Sequence, residues 1–195
     1  MADRSFKHHP SVAEFAVSKR SYLEARPGVS YSHIAISTLV LDTRNAHEPR
    51  ILLLQRAAGD DYDPNKWEPP GGSCDDEDES ILHAAARELW EEAGLQATHI
   101  GGPVGTPFIL PLDDGRILCW FYFAVDVRTD DAPPGGGAAA PFAVRLNDQE
   151  HQRFVWATEE QVRARKVDDV DLDFTGEGVA LTVLLAFPYF KEREI

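Results

Sequence analysis

The chain is poor in positive charge. Its 195 residues carry 19 Lys and Arg against 33 Asp and Glu, a formal net charge of −14. That deficit argues against broad binding to nucleic acid or to an anionic membrane, since both need basic patches. Cysteine is scarce as well: Cys74 and Cys119 are the only two, too few for a disulfide scaffold or a zinc site. No stretch approaches the roughly 20 apolar residues of a membrane span. Residues 1–10 lack the apolar run of a secretory leader, so the expectation is a reducing, cytoplasmic home. Net negative charge does not exclude a phosphorylated small molecule, because a bound cation reverses the sign of the local field.

What is present describes an ordinary globular chain, with 43% hydrophobic and 27% charged residues. The length suits one sizeable core, and no shift in composition or internal repeat marks a second domain. We expect residues 1–29 to form a tail and a helix that pack on a single domain spanning residues 30–195.

The most informative stretch is residues 71–95, GGSCDDEDESILHAAARELWEEAGL. A double glycine and an acidic loop lead into a helical pattern. At about 100° per residue, Glu88 and Glu92 lie nearly above one another, with Glu91 on the adjoining edge. Leu82, Ala86, Leu89 and Ala93 gather on another face, where a core belongs. Ala84 and Ala85 flank the glutamates with minimal side chains. Like charges four residues apart cost a helix a few tenths of a kcal/mol per pair, so the arrangement does not serve helix stability. An arbitrary cluster of this kind is usually a solvated acidic face. Alternatively, a hard divalent cation, Mg²⁺ or Mn²⁺, takes such oxygens in an octahedral shell completed by water and phosphate.

The spacing favours the second reading. Glu79, seven intervening residues and then Arg87-Glu88-Leu89-Trp90-Glu91-Glu92-Ala93-Gly94-Leu95 resemble the signature of the Nudix hydrolases, and Trp67-Glu68-Pro69-Pro70-Gly71-Gly72 resembles the strand end that precedes it. One departure stands out. Six residues rather than five separate Gly72 from Glu79, which bears on where the glycine carbonyls sit.

The resemblance implies an α/β fold, an α/β/α sandwich with a mixed β-sheet between helices, over residues 30–190. It implies hydrolysis of a diphosphate linkage in a nucleoside-diphosphate derivative. It also implies metal ligation by Glu88, Glu91 and Glu92, with Glu88 and Glu92 as the primary ligands and a main-chain carbonyl of Gly71 or Gly72 completing the shell. Glu79 and Arg87 are then a salt-bridged brace for the loop rather than participants in the chemistry. The general base is either a box glutamate or an acid from a later loop, for which Glu150 is the candidate; the alternative for Glu150 is a surface residue opening a strand. Many members of the family pair as homodimers.

Elsewhere the reading is local. Ser11 and Glu14 resemble a capping box for a short helix ending before Pro27. Residues 34–41 and 51–55 read as two neighbouring strands. Arg56 follows, either as a strand-end charge or as a substrate-phosphate contact. Residues 97–110 and 117–127 are apolar stretches joined by an Asp-Gly turn, a hairpin pattern. Residues 130–141 are low-complexity and read as a surface loop. Residues 142–146 are a candidate strand and residues 150–156 a further one. Thr158 and Gln161 form a second capping box. Residues 175–187 form an apolar helical run ended by Pro188.

Substrate identity rests on single residues. Pro111 lies about as far beyond the box as a proline found in ADP-ribose-cleaving members, which points to an ADP-ribose-like compound. Trp67, Phe108, Trp120 and Tyr122 are either base-stacking surfaces or core packing. The box helix also resembles that of members from filamentous fungi, for which a prenyl diphosphate, hydrolysed or isomerised, is the alternative. A catalytically silent binding or sensor protein is the third class.

Overall fold

The computed structural model describes residues 5–128 and 142–193; the low-complexity stretch 130–141 lies outside them. The chain opens with β1 (Lys7–His8), a 3-10 turn (Pro10–Phe15) and α1 (Lys19–Glu24). His9, not Ser11, caps the turn, and Ser18 caps α1. The single helix expected here is therefore two short pieces. Val12, Phe15 and Tyr22 are buried between them and the sheet.

Strands β2 (His33–Leu39), β3 (Leu41–Asp42), β4 (Arg50–Arg56), β5 (Trp67–Glu68) and β6 (Gly71–Ser73) follow, then α2 (Ile81–Ala93). Next come β7 (Ala97–Pro103), β8 (Phe108–Pro111) and β9 (Ile117–Val127). The chain closes with β10 (His151–Thr158), α3 (Glu159–Ala164), the hairpin β11 (Lys166–Val167) and β12 (Val170–Asp171), and α4 (Glu177–Arg193). One sheet has the order β1-β7-β9-β2-β6, with β8 also on β9. The second has the order β10-β4-β3, with β5 also on β4. Pairing is mixed, since β2 and β9 run parallel while β2 and β6 run antiparallel.

Several expectations change here. The stretches 34–41 and 51–55 are neighbours only at one end, where Leu41 pairs with Ile51. β2 and β4 lie in different sheets, and only the continuation β3 reaches β4. Residues 97–110 break into two strands, both on β9, while the Asp-Gly turn closes the β8–β9 hairpin with Gly115 at φ 82°. Residues 142–146 are not a strand; Arg145 N–H donates to the Ala93 carbonyl, so the segment is spent on the end of α2. Pro188 lies inside α4 rather than ending it. The capping box Thr158–Gln161 forms as expected.

Strict alternation divides the core. Ile34, Ile36, Leu52, Leu54, Phe121 and Phe123 face the α2 side. Leu39, Ile51, Leu53, Tyr122 and Ala124 face the α4 side with Val183, Phe187 and Phe190. Two-sided burial is what makes these strands read as apolar runs. The result is an α/β/α sandwich with α2 on one face and α4 on the other.

Candidate active site

Helix α2 is fixed at both ends. The Ser80 hydroxyl accepts from His83 N–H, and Gly94 takes the left-handed conformation with φ 67°. Glycine adopts that geometry without a Cβ penalty. Between these caps, the apolar face docks on the sheet and carries Glu92 inward with it. Glu92 is only 4% exposed, and its carboxylate accepts a 2.8 Å hydrogen bond from Gly71 N–H on β6.

The double glycine is a packing requirement. A Cβ on Gly71 would overlap the Ile36 carbonyl of β2, and one on Gly72 would stand 2.8 Å from the Glu88 carboxylate. Close passage of β6 between β2 and α2 thus brings the glycine backbone against Glu88 and Glu92.

The electrostatics of this spot are unusual. Burial raises the Glu92 carboxyl well above the ordinary range, and nearby Glu88, Glu68 and Glu150 raise it further, against the Gly71 hydrogen bond. Burial likewise pushes Glu88 to about 7, despite its ion pair with Arg87. Desolvated carboxylates crowded in this way call for a cation. The donor set of clustered, hard, partly dehydrated oxygens fits a divalent metal. Glu92, Glu150 and His151 place one ligand atom each within 4.8 Å of one another. Glu150 itself is exposed and accepts from Asn147 Nδ2 at 2.7 Å. Glu91 is half exposed and paired with Arg87 at 3.0 Å.

Arg87 holds the preceding loop, but through a different acid than the spacing suggests. It meets Asp78 with two parallel bonds of 2.9 Å and donates to the Ser73 carbonyl at 3.0 Å. The Asp78 side chain is 9% exposed, whereas that of Glu79 is 83% exposed and reaches only His83. The Glu79–Arg87 pair is therefore replaced by Asp78–Arg87. The shift follows from Ser80 serving as the helix cap, which leaves Glu79 outside the helix. Five residues separate Gly72 from Asp78, so the extra residue falls on the helix side of the brace rather than in the glycine turn. From the other side, Lys19 donates to the Cys74 carbonyl at 2.8 Å and pairs with Asp76 at 3.0 Å.

A cleft of about 940 Å³ takes in Glu68, which lies near Glu92. Phe108, Trp120 and Tyr122 form its aromatic wall, Pro111 and Arg116 its hairpin rim, and Gly176 and Gly178 the opposite lip at the start of α4. Ser37, Glu68 and Ser73 line it as well and link it to the glutamate cluster. Ser37 sits opposite Gly71 in the sheet and accepts from the Trp120 indole at 3.0 Å. Arg56 also lines the cleft, with its guanidinium bound to Glu68 and Asp60 at 2.7 Å each and to the Tyr62 carbonyl at 2.8 Å. Both readings of Arg56 thus meet at one position, a strand-end charge on a ligand-sized space.

Trp67 does not face that space. It is 0% exposed, packed on the α4 side, and its backbone binds the lead-in to α4 through Asp173 and Thr175. It is a core residue, because the pleat of β5 turns it to the opposite side from Glu68. Glu68, Ser37, Asp78 and His151 were not singled out from the sequence. Of these only Asp78, one of several acids in the loop, carried any local signal.

A family model described as a NUDIX domain matches residues 32–175. The m7GpppN-mRNA hydrolase NUDT17 of Bos taurus is 48% identical over 46 residues, 24% of this chain and 15% of that protein. Its Homo sapiens counterpart is 36% identical over 77 residues, 37% of this chain and 23% of that protein. The chain thus spans less than a quarter of the curated relatives it matches. Among solved structures, a C. elegans Ap4A hydrolase binary complex aligns with TM-score 0.54 at 23% identity, covering 83% of this chain and 99% of that one. A MutT protein from Methanosarcina mazei Go1 aligns with TM-score 0.52 at 22% identity, covering 85% and 96%. At such identities the structural likeness speaks for the fold alone.

Proposed function

Because the chain belongs to the NUDIX family, we propose that it is a divalent-cation-dependent hydrolase that cleaves the diphosphate linkage of a nucleoside-diphosphate derivative. The observation that carries this reading is the buried Glu92 carboxylate beside Glu88, with Glu68, a carboxylate near Glu92, lining an aromatic cleft. Glu88, Glu91 and Glu92, with the Gly71 carbonyl, would hold Mg²⁺ or Mn²⁺. When bound, the cation supplies charge neutralisation for the phosphates and a more acidic water.

The remaining work belongs to the protein. Arg87 and Asp78 hold the loop after the glycine turn against α2, so that the loop needs no adjustment at each turnover. Glu150, exposed and oriented by Asn147, takes the proton of the attacking water. That water attacks one phosphorus of the linkage, and the bridging oxygen leaves on the other. Phe108, Trp120 and Tyr122 offer faces for a base, while Arg56, Arg116 and Pro111 border the phosphate and ribose end of an ADP-ribose-like ligand.

The test is a substrate panel with Mg²⁺ and with Mn²⁺ in ¹⁸O-water, read by mass spectrometry. It contains ADP-ribose, NADH, coenzyme A, nucleoside triphosphates and prenyl diphosphates. The names of the relatives add a dinucleoside polyphosphate and a cap analogue. One labelled monophosphate product from a nucleoside-diphosphate compound is the expected result. Conversion of a prenyl diphosphate at unchanged mass would overturn hydrolysis, and silence on the whole panel would leave the fold without this activity.

A further inference from the structure

Among the described residues, the buried side-chain polar atoms without a hydrogen bond are the indole N–H groups of Trp67 and Trp156 and both ring nitrogens of His151. His151 is the exceptional case. Its side chain is 2% exposed, and buried imidazoles ordinarily satisfy their ring nitrogens. Its Nε2 lies 3.7 Å from Glu68 Oε1, beyond hydrogen-bond distance. The register of β10 against β4 shifts between His151 and Arg153, and such a bulge re-aims a side chain. Here His151 lies near both Glu68 and Glu92.

A nitrogen of this imidazole and carboxylate oxygens of Glu92 and Glu150 lie within 4.8 Å of one another. Donors on one cation, each at about 2.0–2.2 Å, stand roughly 3 Å apart when cis and about 4.4 Å when trans, so side-chain shifts of up to about an ångström bring the three onto a common ion. The donors come from α2, the turn before β10, and β10 itself, so no single helix face or loop accounts for their convergence.

We propose that His151 is a nitrogen ligand to a cation shared with Glu92 and Glu150, and that this mixed site selects imidazole-accepting ions such as Mn²⁺, Co²⁺ or Zn²⁺ over Mg²⁺. The inference rests on Glu92 holding a metal; it adds His151 and one Glu150 oxygen as ligands, the other Glu150 oxygen remaining the proton acceptor, and a metal preference. Imidazole suits the later divalent transition ions, whereas Mg²⁺ is served by oxygen.

Pulsed electron paramagnetic resonance on the tag-free, Mn²⁺-loaded full chain decides the matter directly. A directly bound imidazole gives a ¹⁴N coupling, which is replaced by the ¹⁵N pattern when the chain carries ¹⁵N-histidine. His151→Gln removes the coupling, and calorimetric titration then shows the Mn²⁺ over Mg²⁺ affinity ratio falling by at least roughly tenfold. The wild-type spectrum stands alone should that variant not fold. Mn²⁺ that binds without nitrogen coupling overturns the His151 assignment and leaves the carboxylate site intact. No Mn²⁺ binding at all removes the metal reading with it.

Discussion

Helices α2 and α4 cover opposite faces of the same strands and are built by opposite rules. On α2, Ile81, Leu82, Ala85, Leu89 and Ala93 are buried, the outer face is charged, and one glutamate, Glu92, is drawn into the interior. On α4 the buried set is Ala180, Val183, Ala186, Phe187 and Phe190, and the outer face is apolar too, with Leu181 62% and Leu185 48% exposed. Burying a carboxylate works against folding. The two helices therefore separate tasks: α4 supplies cohesion and one lip of the cleft, whereas α2 gives up cohesion to hold negative charge where solvent does not reach.

The most severe way to break this contrast is Glu92→Gln. We expect metal-dependent hydrolysis to fall by more than about a hundredfold, since even indirect partners of a bound metal cost up to that much. Thermal melting of the metal-free protein should hold or rise. Retained turnover in a folded variant would remove α2 from the chemistry.

Glu88→Gln probes the same cost through pH. The Glu88 carboxyl is raised from 4.5 to about 7 in the folded chain, so the folded state binds the extra proton between those values. Its ionisation then lowers stability as pH rises through that window, and the full penalty is present above it. Metal-free Glu88→Gln should exceed the wild type by up to about 3 kcal/mol at pH 8 and by little at pH 4. A difference independent of pH, measured by urea unfolding, would mean the carboxylate is not desolvated as described.

On the other face, Val183→Ala should cost about 2 kcal/mol of stability with kcat and KM unchanged. A kinetic effect of that size would show that α4 does more than pack. Smallest is the pair Asp78→Asn and Glu79→Gln. The first should lose about 1–2 kcal/mol, and the second no more than about 0.5 kcal/mol, because an exposed acid contributes little. Equal melting temperatures for the two would restore the brace to Glu79.

The sequence was legible where structure is local and periodic. α2, its closing glycine, the Thr158 capping box and the Asp-Gly hairpin depend on residues within a few positions of one another. It was not legible where distant segments decide. β2 finds its parallel partner β9 some eighty residues away, and the same alternation that predicts a strand is silent on its neighbour. Glu79 was placed by the resemblance, but Ser80 caps the helix and the helix begins at Ile81, so Glu79 stands outside it. Trp67 and Glu68 are adjacent, and only the pleat says which one faces the cleft. His151 sits at a bulge, where alternation stops predicting direction.

Residues outside the family-matched span 32–175 complete the core on both sides. Val12, Phe15 and Tyr22 close one face, Lys19 fastens the loop that carries the brace, and all of α4 covers the other face. What is shared with relatives and what folds as a unit are thus different lengths of chain. Trimming to the shared part would strip α4 from one face and leave α2 without its N-terminal neighbours on the other, so any shuffling of this module into another protein would have to carry its flanks along.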